Sequence, residues 1–160
     1  FHEELTSRVL NTISHSYITE SDDTLENWQE LRKKINSQDR IVASSPYVED
    51  FALMTSRKAS QGVSVRGIMV DLEATTSSLL DDIKYGEISL NQDSSTILIG
   101  VGLATLMGTG IGDTLTLIAP TRNSIGLLTP KSQTYTVGGI FNAGLNEYNN
   151  SLAVIHLYDA

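Results

Sequence analysis

The chain of 160 residues contains no cysteine, few aromatic residues and fewer basic than acidic side chains. Without cysteine it forms no disulfide or zinc–thiolate site and offers no thiol nucleophile. Its 11 basic residues stand against 19 acidic ones, and the net charge of −8 disfavours contact with nucleic acid or anionic lipid. A cysteine-free chain suits both the cytosol and a bacterial extracytoplasmic space, so composition leaves the compartment open.

The sequence also lacks an apolar run long enough for a membrane helix. The longest, Ile97 to Gly108, is rich in glycine and falls well short of the roughly 20 residues that span a bilayer. An apolar fraction of 40% and a charged fraction of 19% are typical of a globular protein with a real core. The first residues, FHEELTSRVL, contain no initiator methionine or signal peptide, so we expect a piece of a longer polypeptide.

The first part of the chain predicts an α+β lobe. Apolar residues spaced by four predict a helix over 1–13, and alternation predicts a short strand over 15–20. A second helix follows, with Asp23 as its cap, and its basic end, Arg32–Lys34, fits a solvated helix terminus better than a partner site. The apolar face of this second helix is predicted to comprise Leu25, Trp28, Leu31 and Ile35.

A hairpin and a more β-rich region are predicted next. Residues 40–56 predict an interrupted or edge strand broken near Pro46, and residues 62–70 predict its returning partner. From Asp71 onward the pattern favours short strands and one brief helix, Val101–Met107, closed by Gly108. We therefore expect a small sheet or partly closed barrel, with a lobe boundary near residues 70–76.

Glycine-rich segments resemble nucleotide-binding motifs only in part. Gly100 and Gly102 follow a predicted strand and open a helix, but the third glycine position of a dinucleotide fingerprint holds Thr105. The cluster at 108–113 follows a helix and enters a strand, the reverse of a phosphate-binding order. We interpret these glycines as tight turns and close packing, and we predict no cofactor.

Candidate catalytic and metal-binding residues are isolated along the sequence. The three histidines, His2, His15 and His156, have no partner at metal-ligand spacing. The adjacent acids at 22–23 and 81–82 are more typical of caps and solvated turns than of acid–base pairs. The sequence therefore predicts no active site and no metal site.

Three segments, 1–19, 96–120 and 134–160, resemble the periplasmic domain of the membrane subunits of lipoprotein-releasing ABC transporters, the LolC, LolE and LolF family. The resemblance implies an α+β fold of the MacB and FtsX-like permease class. It implies a juxtamembrane helix over 1–13, the first half of a "porter" lobe over 14–70 and a β-rich "sabre" lobe over 71–160.

The same resemblance implies a non-enzymatic function at the periplasmic face of the bacterial inner membrane. Such a domain would help extract lipoproteins and pass them to the periplasmic chaperone LolA. Its further partners would be a second LolC-, LolE- or LolF-type subunit and a separate LolD-type ATPase. Two alternatives remain open: a MacB-like efflux subunit that docks an adaptor protein, and a small periplasmic enzyme or solute-binding domain with a ligand pocket.

The resemblance also implies a projecting hairpin, here called the hook, over Pro120–Thr134. Its chaperone-binding residues would be Asn123, Ser124, Ile125, Gly126, Leu127, Leu128, Thr129, Pro130 and Lys131. The alternative is that Leu127 and Leu128 fold back onto the sheet as ordinary loop anchors. Because half of the porter lobe would be missing, we also expect exposed strand edges that could pair two copies into a dimer.

Overall fold

A computed structural model describes residues 16–19, 25–92, 94–122 and 125–160. The helix predicted over 1–13 and the capping residue Asp23 lie outside this part of the chain. The helices are α1 (Trp28–Asn36), α2 (Val70–Glu73), α3 (Val101–Met107) and α4 (Asn146–Ser151), and a 3-10 turn follows at Leu157–Asp159. The strands are β1 (Tyr47–Thr55), β2 (Ser60–Ile68), β3 (Ile83–Gly86), β4 (Thr96–Gly100), β5 (Thr114–Arg122), β6 (Leu128–Phe141) and β7 (Leu152–His156).

The seven strands form one mixed sheet that curls until its ends meet. Its order is β3-β6-β4-β7-β2-β1-β5, and β5 pairs again with β6. Six strands therefore make a closed ring of pairings, with β3 added beside the end of β6. The ring has two thin seams, because β4 meets β7 through two facing pairs and β1 meets β5 through three. None of the helices in the described ranges is long and apolar enough to cross a membrane.

The core consists of two buried clusters, one on each face of the sheet. Strand residues of the inner cluster alternate with outward ones, and α3 adds Leu103 and Met107 to them. The strand members of this cluster are Met54, Val63, Val65, Ile97, Ile99, Leu115, Leu117, Tyr135, Val137, Ile140, Ala153 and Ile155. On the other face Leu79, Leu80 and Leu90 cover a second set, which includes Leu98, Phe141 and Leu152.

Strands from both sides of the predicted lobe boundary share this sheet. β2 pairs in parallel with β7, from Ser64 opposite Leu152 to Ile68 opposite His156. The fold is thus a sheet-rich mixture of helices and strands. The division into lobes at 14–70 and 71–160 remains a prediction.

Two predictions for the first part of the chain were wrong in detail. Residues 16–19 form no strand and are exposed, because no described strand lies beside them to supply a ladder. The helix α1 begins at Trp28, with Asn27 at its N-cap, so Leu25 precedes it instead of starting its apolar face. The strand predicted over 40–56 was confirmed only after Pro46, since β1 begins at Tyr47 and residues 41–46 form no strand.

The predicted brief helix is present with the predicted end. α3 spans Val101–Met107, and Gly108 ends it with a φ of 61°, a left-handed conformation that glycine adopts without steric cost. It is not alone, as the pattern had suggested, because α2 and α4 are further short helices in the second part of the chain.

The glycines before and inside α3 are required by close packing against α4. A Cβ atom at Gly100 would lie 2.6 Å from the Cα of Asn149, and one at Gly102 would lie 2.9 Å from the Cγ of Asn150. The two short helices can therefore touch only because these positions lack side chains. This finding agrees with the packing interpretation of the Gly-Val-Gly motif.

Candidate functional site

The ladder that joins β5 to β6 is, with that of β1 and β2, one of the two longest of the fold. Nine facing pairs run from Thr114 opposite Thr136 to Arg122 opposite Leu128. At the barrel end of this hairpin, the alternating residues Leu115, Leu117 and Tyr135 are buried in the core. From Leu128 to Ser132 every residue of β6 is exposed. One hairpin therefore belongs to the core at its base and extends away from it at its tip.

The tip of the hook carries large apolar side chains in contact with solvent. Ile125 is 76% exposed, Leu127 61% and Leu128 65%. Gly126, between the first two, has a φ of 80°, and a Cβ there would meet nothing within 4 Å. The glycine therefore serves the backbone turn rather than a close contact. High exposure of both leucines contradicts the alternative in which they fold back as buried loop anchors.

Side-chain hydrogen bonds lock the hook ladder near its tip. The Thr121 hydroxyl donates to the carbonyl oxygen of Thr129 at 3.1 Å, and the Thr129 hydroxyl donates to the carbonyl oxygen of Thr121 at 3.4 Å. Nearer the barrel, the hydroxyl oxygens of Thr116 and Thr134 lie 3.1 Å apart. These pairs hold the register of the hairpin where no core stabilises it.

The structure brings the described members of the predicted site together. Ile125, Gly126 and Leu127 form the turn, and Leu128–Lys131 begin β6. Asn123 and Ser124 lie outside the described residues. Sequence reasoning missed that Pro120 faces Pro130 directly across the ladder. The available signal was that Ile125 lies midway between the two prolines in the sequence.

A second ordered polar cluster lies on the outer face of β1 and β2. The guanidinium of Arg66 bonds the carboxylate of Glu49 through Nη2 at 2.8 Å and Nε at 3.0 Å. The Ser64 hydroxyl donates to the other carboxylate oxygen at 2.7 Å. The Arg66 guanidinium carbon also lies 5.4 Å from the ring centre of Tyr47 and 5.9 Å from that of Tyr148. This cluster joins β1, β2 and α4.

For both Glu49 and Arg66, burial shifts the pKa in one direction, and the hydrogen bonds and charge of the partner shift it in the other. Burial alone would raise the pKa of Glu49, but the hydrogen bonds from Ser64 and Arg66 and the charge of Arg66 outweigh it and lower the pKa. Burial would lower the pKa of Arg66, and the hydrogen bond and charge of Glu49 raise it instead. Both shifts favour the charged forms, so the cluster is an ion pair at neutral pH.

Tyr135 at the base of the hairpin is the other strongly shifted group. Burial, and then the charge of Asp159, raise the pKa of Tyr135 to about 12. Its hydroxyl donates to the carbonyl oxygen of Asp159 at 3.2 Å. This contact ties the hairpin base to the last turn of the chain.

The described residues offer no metal-binding cluster, since no three His, Asp or Glu side chains among them converge. A shallow cavity of about 310 Å³ lies between residues 69–71, 88–92 and His156. The ring nitrogen Nδ1 of His156 accepts the backbone N–H of Tyr158 at 3.4 Å, which gives this histidine a structural role. The predicted absence of an active site remains a prediction.

Comparison with curated proteins finds relatives of one kind along the whole chain. It is 32% identical over 162 aligned residues to the "Lipoprotein-releasing system transmembrane protein LolC" of Neisseria meningitidis and 29% identical to the LolC protein of Xylella fastidiosa. It is 25% identical over 127 residues to the LolE protein of Haemophilus influenzae. The alignments cover 77% to 100% of the chain.

Solved structures show the same fold at low sequence identity. The chain superposes with a TM-score of 0.57 on the extracellular domain of the noncanonical ABC-type transporter YknZ from Gram-positive bacteria, at 14% identity, covering 93% of the chain and 74% of that domain. A domain of a putative permease from Porphyromonas gingivalis gives a TM-score of 0.53, also at 14% identity, over 81% of the chain and 57% of that domain. These similarities concern the fold alone.

No protein-family profile matches the chain. The chain spans 39% of the length of the LolC proteins that it matches. Those relatives are named as transmembrane proteins of a lipoprotein-releasing system. In sequence, the chain is homologous to part of the LolC and LolE transmembrane proteins of lipoprotein-releasing systems.

Proposed function

We propose that this chain is the periplasmic part of a transmembrane subunit of a lipoprotein-releasing ABC transporter and that its hook binds the chaperone LolA. The observation that carries the proposal is the apolar tip: Ile125, Leu127 and Leu128 are each more than 60% exposed at the end of a ribbon that leaves the core. The names of the relatives support lipoprotein release as the process.

The geometry of the hook suits a transient protein contact. The ladder extends to Arg122 opposite Leu128, so five residues of sequence separate the two strands of the hook, and the hydroxyls of Thr121 and Thr129 brace the end of the ladder. A short, braced turn loses little conformational entropy when it docks. Exposed apolar side chains on such a turn can fill a groove of the partner and supply most of the binding energy.

The other parts of the proposed system follow from the family. ATP hydrolysis belongs to a separate LolD-type subunit, and a second LolC-, LolE- or LolF-type subunit completes the transporter. Lipoproteins are the cargo, extracted at the periplasmic face of the inner membrane. The names of the relatives, which give a lipoprotein-releasing system and a transmembrane protein, support this assignment.

A second proposal concerns self-association through β1. This strand meets β5 only over Leu53–Thr55, so its segment Tyr47–Ala52 has no second neighbour among the described strands. The backbone N–H of Phe51 at this edge bonds the carboxylate of Asp50 at 2.7 Å, and the Phe51 ring is 75% exposed. We propose that two copies pair here at high concentration. Light scattering that shows a monomer at millimolar concentration would contradict it.

The test of the hook is calorimetric binding of the domain to LolA from the same organism. The variant Leu127→Asp with Leu128→Asp puts two charges at the tip, and we expect it to weaken binding at least about 100-fold, or roughly 3 kcal/mol. Leu106→Asp is the matched control, because Leu106 is a 55% exposed leucine on α3. This control should bind LolA like the original chain.

Circular dichroism separates lost binding from lost folding. A double variant that keeps its spectrum and loses LolA binding supports the proposal. A well-folded original chain that fails to bind LolA overturns it. Binding of an efflux adaptor protein instead would identify the MacB-like alternative.

A further inference from the structure

The hook contains two of the three prolines in the chain, and they face each other. Pro120 on β5 is the register partner of Pro130 on β6, and both are exposed. Neighbouring pairs on either side continue the ladder without a bulge. Proline carries no backbone N–H and is uncommon inside strands, so two of them at one register position require an explanation.

Hydrogen bonds nearer the barrel show which way these positions point. The N–H of Thr136 donates to the carbonyl oxygen of Ser95, on the β4 side of β6, at 2.8 Å. The N–H of Val137 donates to the carbonyl oxygen of Asp113, on the β5 side, at 2.9 Å. Successive residues of a strand direct their N–H groups to opposite sides. Pro130 lies six residues before Thr136 and therefore occupies a position whose N–H would point away from β5.

The position of Pro120 on β5 is directed outward as well. Pro120 is two residues beyond Ile118, which forms the pair with Leu53 of β1. Its position is thus directed toward the outer side of β5, where β1 would have continued. In an antiparallel ladder a pair of residues that both point outward exchanges no hydrogen bonds. The two prolines therefore cost the hairpin none of its own ladder bonds.

Both edges of the hook are open among the described strands. The last pair of β5 with β1 involves Ile118, and the first pair of β6 with β4 involves Thr136. Beyond these residues each strand has only its hairpin partner within the described ranges. A long two-stranded ribbon with open edges is a template for strand addition, and proline on an edge is one way to prevent it.

We propose that Pro120 and Pro130 close the two edges of the hook to strand addition. Each proline removes an outward donor and places its ring where an added strand would lie. The hook then cannot pair edge to edge with a second hook, and a partner must contact the side chains of the tip. The edge closure goes beyond the proposed function and does not depend on the identity of the partner.

Restoring the two donors tests the proposal. In the variant Pro120→Thr with Pro130→Thr, a β-branched residue replaces each proline, so strand propensity is kept and the outward N–H groups return. By analytical ultracentrifugation we expect this variant to self-associate at least about tenfold more tightly than the original chain at equal concentration. The original chain is the baseline, so any pairing through β1 is present in both samples.

A matched control adds threonines without opening the edges. Ala119 on β5 and Gln133 on β6 belong to the alternate pairs of the ladder, whose N–H groups point into the hairpin. The variant Ala119→Thr with Gln133→Thr should therefore associate no more than the original chain. Pro130→Thr alone provides a second, milder variant in case the double replacement unfolds.

Hydrogen exchange gives an independent readout of the geometry. The restored amides at 120 and 130 should exchange rapidly in the monomer and slowly in the associated state. Protection of these amides in the monomer would show that they point inward and would overturn the proposal. A folded double variant whose mass stays equal to that of the original chain at every concentration would overturn it as well, leaving the prolines only a stiffening role.

Discussion

The two ends of the β5–β6 hairpin use similar residues in opposite environments. At the base, Leu115 is 1% exposed and Leu117 6%, whereas Leu128 at the tip is 65% exposed. The ladder is continuous between them, so the difference does not come from local secondary structure. It follows from where the neighbouring strands end, since β1 leaves β5 at Ile118 and β4 leaves β6 at Thr136. Exposed leucines beyond that point are available to a partner.

The largest difference in unfolding free energy is expected between leucine-to-alanine variants at the base and at the tip of the hairpin. Leu115→Ala should lower the free energy of unfolding by about 3 kcal/mol, because it leaves a cavity in the closed barrel. Leu128→Ala should change it by less than about 0.5 kcal/mol, because the side chain is already in water. Urea unfolding measures both. Equal losses in the two variants would mean that the tip packs on the core.

Two glycine-to-alanine variants compare a position limited by close packing with one limited by backbone conformation. Gly100→Ala should cost about 2 kcal/mol, because the new Cβ would overlap the backbone of Asn149 in α4. At the tip, Gly126→Ala meets no atom within 4 Å, so only its positive φ opposes the change. That strain is about 1 kcal/mol and should appear as weaker LolA binding through an altered loop.

Gly62→Ala is the control for the glycine pair, since its Cβ would also meet nothing within 4 Å and its φ is not in the left-handed range. It should leave stability unchanged or slightly raised. A destabilisation equal to that of Gly100→Ala would remove the packing explanation.

The base of the hairpin should also lose stability in alkali. The folded pKa of Tyr135 is about 12, above its ordinary value of 10.0. A raised pKa means that the folded state holds the proton more tightly, so stability is complete below pH 10.0 and is lost as the pH rises toward 12. Thermal unfolding across this range should show a loss of up to about 2 kcal/mol that Tyr135→Phe removes. An identical alkaline loss in Tyr135→Phe would assign it to other groups.

The smallest expected change in the free energy of unfolding occurs at acidic pH and comes from Glu49, on the outer face of β1. The pKa of Glu49 is lowered below its ordinary value of 4.5, so its contribution is present above that pH and is lost as the pH falls through the folded pKa. Because the Glu49 side chain is 36% exposed, solvent screening limits the effect to below about 1 kcal/mol. Glu49→Gln should flatten the acid limb of unfolding while leaving LolA binding unchanged.

Local patterns in the sequence predicted elements that depend on local chemistry. Gly108 was correct as the end of α3, and β1 begins directly after Pro46, because glycine and proline act through their own backbones. The strand predicted over 15–20 was wrong for residues 16–19, since alternation cannot supply a neighbouring strand. The closed ring of strands could not be predicted from local sequence patterns either, because the parallel pairing of Ser64 with Leu152 joins residues far apart in sequence.

The sequence likewise predicted only part of the candidate site. The hook and its leucines came from family resemblance, and their exposure became known only from the structure. The facing of Pro120 and Pro130 depends on register, which a one-residue slip would have destroyed. Composition carries no information about register.

Hydrogen exchange of the chain with and without LolA tests the central claim most directly. We expect added LolA to slow exchange in residues 121–129 of the hook and to leave exchange in the barrel strands and at the β1 edge unchanged. Slowed exchange at Tyr47–Ala52 with no change in the hook would contradict binding at the hook and place the chaperone on β1.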